Sequence, residues 1–199
     1  MSLTLRLFRY ASRILLVAGV LTLGYAAWVA NDARMYQARE LARMAHDRHA
    51  APDVAARTAA VPALEVIPAD GESIGEIRIP RLRVAVVVVQ GESAAILQRA
   101  VGHLVRTALP GVEGNVVLAG HRDTFFRPLK DIRGGDRITV ATSRRDFEYV
   151  VESTSVVEPT DVAVIRPTGG RTLTLITCFP FYYVGPAPHR FIVFAREAE

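Results

Sequence analysis

The sequence predicts an all-β domain, either a closed barrel or a two-sheet sandwich with few short helices, behind one N-terminal transmembrane helix. Three observations carry this. Short runs of alternating apolar and polar residues, bounded by glycine and proline, recur from Ile74 to Ala195, the pattern of half-buried strands. Seven or eight such runs are present, the number a small barrel or sandwich uses. Ahead of them, Ile14–Ala30 is an uncharged apolar run of 17 residues, close to the lower limit of about 17–25 for a spanning helix.

Taken in order, residues 1–13 form a short tail carrying Arg6, Arg9 and Arg13, and residues 14–30 form the apolar span. Trp28 near its far end suits a membrane interface. Gly24-Tyr25-Ala26 and Tyr25-Ala26-Ala27 are poor small-x-small cleavage sites, so an uncleaved signal anchor is expected. Arg34, Arg39, Arg43 and Arg48 follow the span, so arginine counting does not separate its two sides. Residues 31–70 read as a helical stalk to about His49, then an irregular tether containing Pro52, Pro62 and Pro68. The composition changes at Ala69-Asp70-Gly71, and residues 71–199 are assigned to the main domain.

Within that domain the first strand covers Ile74–Ile79 and stops at Pro80. Val84–Val89 is a continuous apolar run, expected to be buried on both faces. Ser93 is placed to cap a helix over Ala94–Val101. Asn115–Ala119 is a strand left at Gly120-His121, and Phe126–Ile132 a helical turn ended by Gly134-Gly135. Arg137–Ala141 and Phe147–Val157 alternate as a hairpin around Ser143–Asp146. Val157–Arg171, with Pro159, Pro167 and Gly169-Gly170, reads as a loop. The strands around Cys178 and over Arg190–Ala195 complete the set.

The net charge of +4 belongs to the N-terminal part. Residues 1–69 carry 8 basic and 5 acidic side chains, whereas residues 70–199 carry 16 and 15. The main domain therefore lacks the concentrated basic face of a nucleic-acid binder, and no nucleic-acid partner is expected.

Cys178 is the one cysteine of the chain. It cannot form an internal disulfide, so it serves either packing or chemistry. Free cysteine is usually a small buried hydrophobe, but this thiol ends a strand just before Pro180. A nucleophilic thiol needs a proton carrier and a stabiliser for the developing oxyanion. Of five histidines, His46 and His49 fall in the tether, His103 leads into a turn, and His189 adjoins Arg190. His121 is best placed, at the mouth of the strand Val116–Ala119 beyond Gly120. Arg190 opens the last strand after Gly185–Pro188, and its permanently charged fork suits an oxyanion. Asp123, two residues beyond His121, is a further candidate for orienting the imidazole. A single cysteine with scattered histidines offers no zinc-ligand set, and neither metal nor cofactor is expected.

Thr174-Leu175-Ile176-Thr177-Cys178 matches the Thr-Leu-x-Thr-Cys pattern, with His121 upstream and Arg190 downstream. Together with Thr107–Gly111, Gly120–Phe126, Thr177–Phe181 and Gly185–Phe191, these residues resemble the sortase family, most of all its class D. The resemblance covers most of residues 72–196. It implies a closed eight-stranded β-barrel and a membrane-anchored cysteine transpeptidase that cleaves a Leu-Pro-x-Thr-Gly-like sorting signal after threonine. By that similarity Cys178 forms a thioacyl enzyme, His121 shuttles the proton and Arg190 stabilises the oxyanion. The implied partners are proteins with a C-terminal sorting signal and an amine acceptor, a wall precursor or another protein. The implied place is the cell membrane, single-pass, with the catalytic domain outside the cytoplasm.

Three other readings compete. An L,D-transpeptidase would carry Ser-x-Gly-Cys-x-Arg, whereas Phe179-Pro180 follows the cysteine here. A membrane-tethered barrel that binds peptides without turning them over is another, and a sortase-like hydrolase without transfer would use the same three residues.

Overall fold

The computed structural model describes residues 3–50, 67–183 and 185–198; most of the tether expected before Pro68 lies outside the described residues. The chain divides into two compact units, Met1–Tyr36 and Gln37–Glu199. Helix α1, Leu3–Ala50, contributes to both. Its sequence is rich in alanine, leucine and arginine, all strong helix formers, and proline first appears at Pro52.

In the first unit Ile14, Leu15, Leu16, Leu21, Leu23 and Trp28 are all exposed. The helix is long and apolar enough to cross a membrane. Two of its hydroxyls are satisfied by the helix backbone: Ser12 Oγ donates to Phe8 O at 2.9 Å and Thr22 Oγ1 to Ala18 O at 2.8 Å. That back-bonding lowers the cost of carrying a hydroxyl into an apolar medium.

The second unit is a closed barrel of β1 Ser73–Ile79, β2 Val84–Gln90, β3 Val101–His103, β4 Gly114–Ala119, β5 Arg137–Thr142, β6 Asp146–Val157, β7 Arg171–Phe179 and β8 His189–Glu197. The strand order is β1-β2-β3-β4-β7-β8-β6-β5, closing on β1. Pairs β2–β3 and β4–β7 are parallel and the other six are antiparallel. Barrel rather than sandwich is decided by the β1–β5 pairing, from Gly75↔Thr142 to Arg78↔Thr139, which leaves no free edge.

The expected helix over Ala94–Val101 is shorter than its pattern. Ser93 does cap it, accepting from Ile96 N, but the helix (α2, Ala94–Leu97) ends early. Val101 is needed opposite Val88, where it starts the three-residue strand β3. Strand pairing overrides local helix preference here. The turn expected over Phe126–Ile132 is a 3-10 helix at Arg127–Asp131, and the Val157–Arg171 loop contains another at Val162–Ile165.

Ile77, Ile79, Val86, Val88, Leu118, Tyr149, Leu173 and Leu175 fill the barrel. Eight strands enclose a space that side chains fill, leaving no channel, so a substrate site must lie on the outer face or at the rim. Part of that outer face is itself covered. Val87 and Val89 are 0% and 1% exposed although they alternate with the interior residues of β2. Gln37 of α1 lies against the first of them: its Oε1 accepts from Val87 N at 2.8 Å, and its Nε2 donates to Arg99 O at 2.6 Å. Ser73 Oγ donates to Met44 Sδ at 3.6 Å, and Arg48 donates to Thr142 O and pairs with Asp146. Positions 37, 44 and 48 share one face of a helix.

Candidate active site

Three strand ends deliver the candidate residues. In the β7–β8 pair, Cys178 stands directly opposite Arg190, and side chains so opposed have Cβ atoms about 4.5–5.5 Å apart. Leu173, Leu175, Val193 and Ala195 point inward, with Phe191 packed against that core. By alternation Cys178 and Arg190 therefore project from the outer face. Both are partly exposed.

His121 arrives from a different direction. Strand β4 runs parallel to β7, with Ala119 level with Ile176. Gly120 N then donates to Ile176 O at 3.1 Å, and Thr177 Oγ1 donates to Gly120 O at 2.7 Å. These two bonds carry the parallel register one step past the strand, which sets His121 level with Cys178. On its other side the His121 carbonyl accepts from Phe126 N at 3.0 Å, and Phe126 is fully buried. A Cβ on Gly120 would lie 2.7 Å from the Phe126 ring, so glycine is required for this close approach. The imidazole thus stands on a backbone tied at both ends.

Arg190 Nη1 donates to His189 O at 3.0 Å and to Ala187 O at 3.4 Å. Among the described residues no carboxylate neutralises its charge by pairing, which suits a group that is to meet an oxyanion.

The other histidines have different surroundings. His103 is 1% exposed; its Nδ1 lies 2.8 Å from Gln90 Oε1 and its Nε2 2.9 Å from Ala108 O. Burial holds its pKa below the ordinary imidazole value, opposed by the Ala108 hydrogen bond and the charge of Glu92. It fastens the start of the β3–β4 connection. His189 Nδ1 lies 3.3 Å from Glu158 Oε1, and His189 pairs with Phe179, one position out of phase with Cys178. His46 is exposed on α1. Asp123 is exposed, and among the described residues no hydrogen bond or ion pair joins it to His121.

Two further groups shape the site. Phe179, Phe181 and Phe191 form a ring cluster with centroids 5.3–6.3 Å apart, closing the core beneath the Cys178 end. Asn115 is buried and pins the β6–β7 connection across the outer face: its Nδ2 donates to Val164 O and Arg166 O, while its Oδ1 accepts from Thr172 and Thr174. That connection leaves β6 at Val157, opposite Arg190, so it starts beside the site. Sequence reasoning assigned neither Thr177 nor Asn115 a role; the available signal was a polar residue inside an apolar strand. Among the described residues no group of three or more His, Cys, Asp or Glu could hold a metal ion.

The family model of the Sortase domain matches residues 77–198, more than half of the chain. The chain belongs to the sortase family. Sortase D of Bacillus subtilis (strain 168) is 34% identical over 131 residues, covering 65% of this chain and 66% of that protein. Sortase A of Listeria monocytogenes is 33% identical over 109 residues, covering 53% of this chain and 49% of that protein. Among solved structures, the Clostridium perfringens Sortase D5 transpeptidase superposes with a TM-score of 0.61 at 29% identity, covering 67% of this chain and 83% of the other. Sortase A from Corynebacterium diphtheriae superposes with a TM-score of 0.61 at 31% identity, covering 66% and 63%. The eight-stranded barrel expected from the sequence is thus the sortase barrel, and the family match takes in all three strand ends of the candidate site.

Proposed function

We propose that this sortase is a membrane-anchored cysteine transpeptidase, with Cys178 as nucleophile, His121 as proton carrier and Arg190 as oxyanion stabiliser. The observation that carries the reading is the register: Cys178 and Arg190 are directly opposed, and the parallel β4–β7 pair brings His121 to the same end. Sortase family membership and the sortase fold support transpeptidation.

In the proposed reaction the Cys178 thiol passes its proton to His121, and the resulting thiolate attacks the threonine carbonyl of a Leu-Pro-x-Thr-Gly-like signal. The carbonyl electron pair moves to oxygen, where the Arg190 guanidinium offers charge-assisted hydrogen bonds. Collapse of the tetrahedral intermediate breaks the Thr–Gly amide, and His121 gives its proton to the departing amine. A thioester on Cys178 remains. An incoming amine attacks it, His121 takes the amine's proton, and the sulfur leaves as thiolate with a new amide formed, His121 returning the proton to restore the thiol; water in place of the amine gives the free acid. The solid barrel interior confines the peptide to the outer groove beside the β6–β7 connection, which bears on which signal fits. The apolar part of α1 anchors the chain as a single membrane pass, with residues 71–199 as the catalytic barrel outside the cytoplasm.

The test is intact-mass analysis of the full chain incubated with a Leu-Pro-x-Thr-Gly peptide, with and without triglycine as the amine. The expected result is an acyl adduct on Cys178, absent in Cys178→Ala, that is consumed to a peptide–triglycine amide. Free acid alone would make the chain a hydrolase. Peptide binding without adduct across a panel of signals would overturn the enzyme reading.

A further inference from the structure

Arg122 follows His121 in sequence, takes no part in the chemistry above, and is engaged with the connection that joins Cys178 to Arg190. Its Nη1 donates to Pro180 O at 3.2 Å, and its Nη2 donates to Tyr183 O at 2.6 Å and to Gly185 O at 3.1 Å. Its guanidinium carbon also lies 5.7 Å from the centroid of the Tyr183 ring. Nearby, Arg127 stands 5.9 Å over the Tyr182 ring. Pro180 is two residues after Cys178, and Gly185 is five before Arg190.

Burial does not hold this connection in place. Tyr182 and Tyr183 are 73% and 47% exposed, and Gly185 and Pro186 are exposed as well. Phe181 packs on the core, and beyond it the described cross-chain fastenings come from the β4–β5 connection: Arg122, Arg127 over the Tyr182 ring, and Lys130, whose side chain also bonds to Tyr182. Arg190 itself donates to Ala187 O at the other end of the same connection. The path of the connection therefore decides where the Arg190 fork points. One planar guanidinium reaching three carbonyls fixes that path in a way a point charge cannot.

We propose that Arg122 is a positioning residue: it clamps the β7–β8 connection and thereby holds the Arg190 guanidinium beside Cys178. The kinetic consequence rests on the transpeptidase reading above, whereas the clamp itself does not. In one backbone register the arrangement couples the three site residues, since Arg122 is bonded covalently to His121 and through its side chain to the segment between the other two.

The test compares the full-length wild type with Arg122→Met and Arg122→Lys by amide hydrogen exchange and by steady-state transfer of a Leu-Pro-x-Thr-Gly peptide to triglycine. Exchange is expected to rise at Phe181–Tyr183 and Ala187–Arg190 in both variants, while β1, β2 and β5 exchange as in wild type. The kcat per folded protein is expected to fall about 10- to 100-fold, the scale of a roughly 1 Å misplacement of a reacting group, with KM moving much less. Lysine is expected to behave more like methionine than arginine. A merely structural role would instead lower the melting temperature and the folded fraction, leave kcat per folded protein intact, and be rescued by lysine. Unchanged exchange in the connection, or a kcat per folded protein within about twofold of wild type, would overturn the proposal. If wild type itself transfers no peptide, the transpeptidase reading fails, and exchange, which needs no substrate, still decides the clamp.

Discussion

Replacing Thr177 with valine isolates the contact that keeps the histidine strand level with the cysteine strand. The side chain is 2% exposed, and its hydroxyl donates to Gly120 O at 2.7 Å. Valine has nearly the same shape, so no cavity forms; what is lost is the donor to a buried carbonyl. An unsatisfied buried acceptor costs about 1–3 kcal/mol. For a domain of this size about 4 °C of melting temperature accompanies each kcal/mol, which predicts a fall of roughly 4–12 °C. Because Gly120 is the residue before His121, the same change frees the imidazole's backbone, and turnover should fall about tenfold or more beyond any loss of folded protein. Thr177→Ser keeps the donor and should retain most of the activity. The assays are thermal denaturation by circular dichroism and adduct formation per folded molecule. Valine melting within about 1 °C of wild type and acylating at the wild-type rate would refute the reasoning.

Two further outcomes follow from the same structure. Burial keeps the His103 pKa below its ordinary value, so on acidification the unfolded chain takes up its proton first, near pH 6.5. The stability that this group contributes is complete above that pH and is lost below it, at up to about 1.4 kcal/mol per pH unit until the folded imidazole protonates. Urea midpoints of wild type should therefore drop more steeply than those of His103→Gln between about pH 6.5 and 5; parallel curves would contradict this. Removing residues 1–66 strips the Gln37, Met44 and Arg48 contacts from β1, β2 and β5 and leaves Val87 N without its Gln37 acceptor. The shortened chain should unfold at lower urea than one starting near Asp32, and superimposable curves would show that residues 37–50 add nothing.

How much of this was legible in the sequence varied with how local its cause is. Leu173–Thr177 and Phe147–Val157 alternate within themselves, so their strands could be read directly and lie within β7 and β6. Val101–His103 could not: three residues including a glycine have no period, and β2 makes them a strand. Closure was open for the same reason, because β1 and β5 meet across more than sixty residues of chain. At the candidate site, thiol, imidazole and guanidinium are candidates by chemical type, and only the motif resemblance joins them into one proposal. That Cys178 and Arg190 are opposed, and that β4 is parallel to β7, are facts of register that spacing does not encode. Arg122 lies within the Gly120–Phe126 motif, but a charged residue in a turn is ordinarily a solvated one, and the sequence carries no sign of the carbonyls it reaches.

The parallel pairing of β4 with β7 also orders events in time. Cys178 and Arg190 belong to adjacent antiparallel strands and can meet as soon as that hairpin forms. Gly120 and Thr177 are 57 residues apart, with the whole β5–β6 hairpin between them. Contacts of such long range form late, since their loop entropy is repaid only when the rest of the sheet is in place. A chain still folding thus holds thiol and guanidinium together before the imidazole arrives. On the proposed transpeptidase reading, acyl transfer would be a readout of barrel closure itself, and a slow-folding variant should show its lag in activity after its strands have already formed.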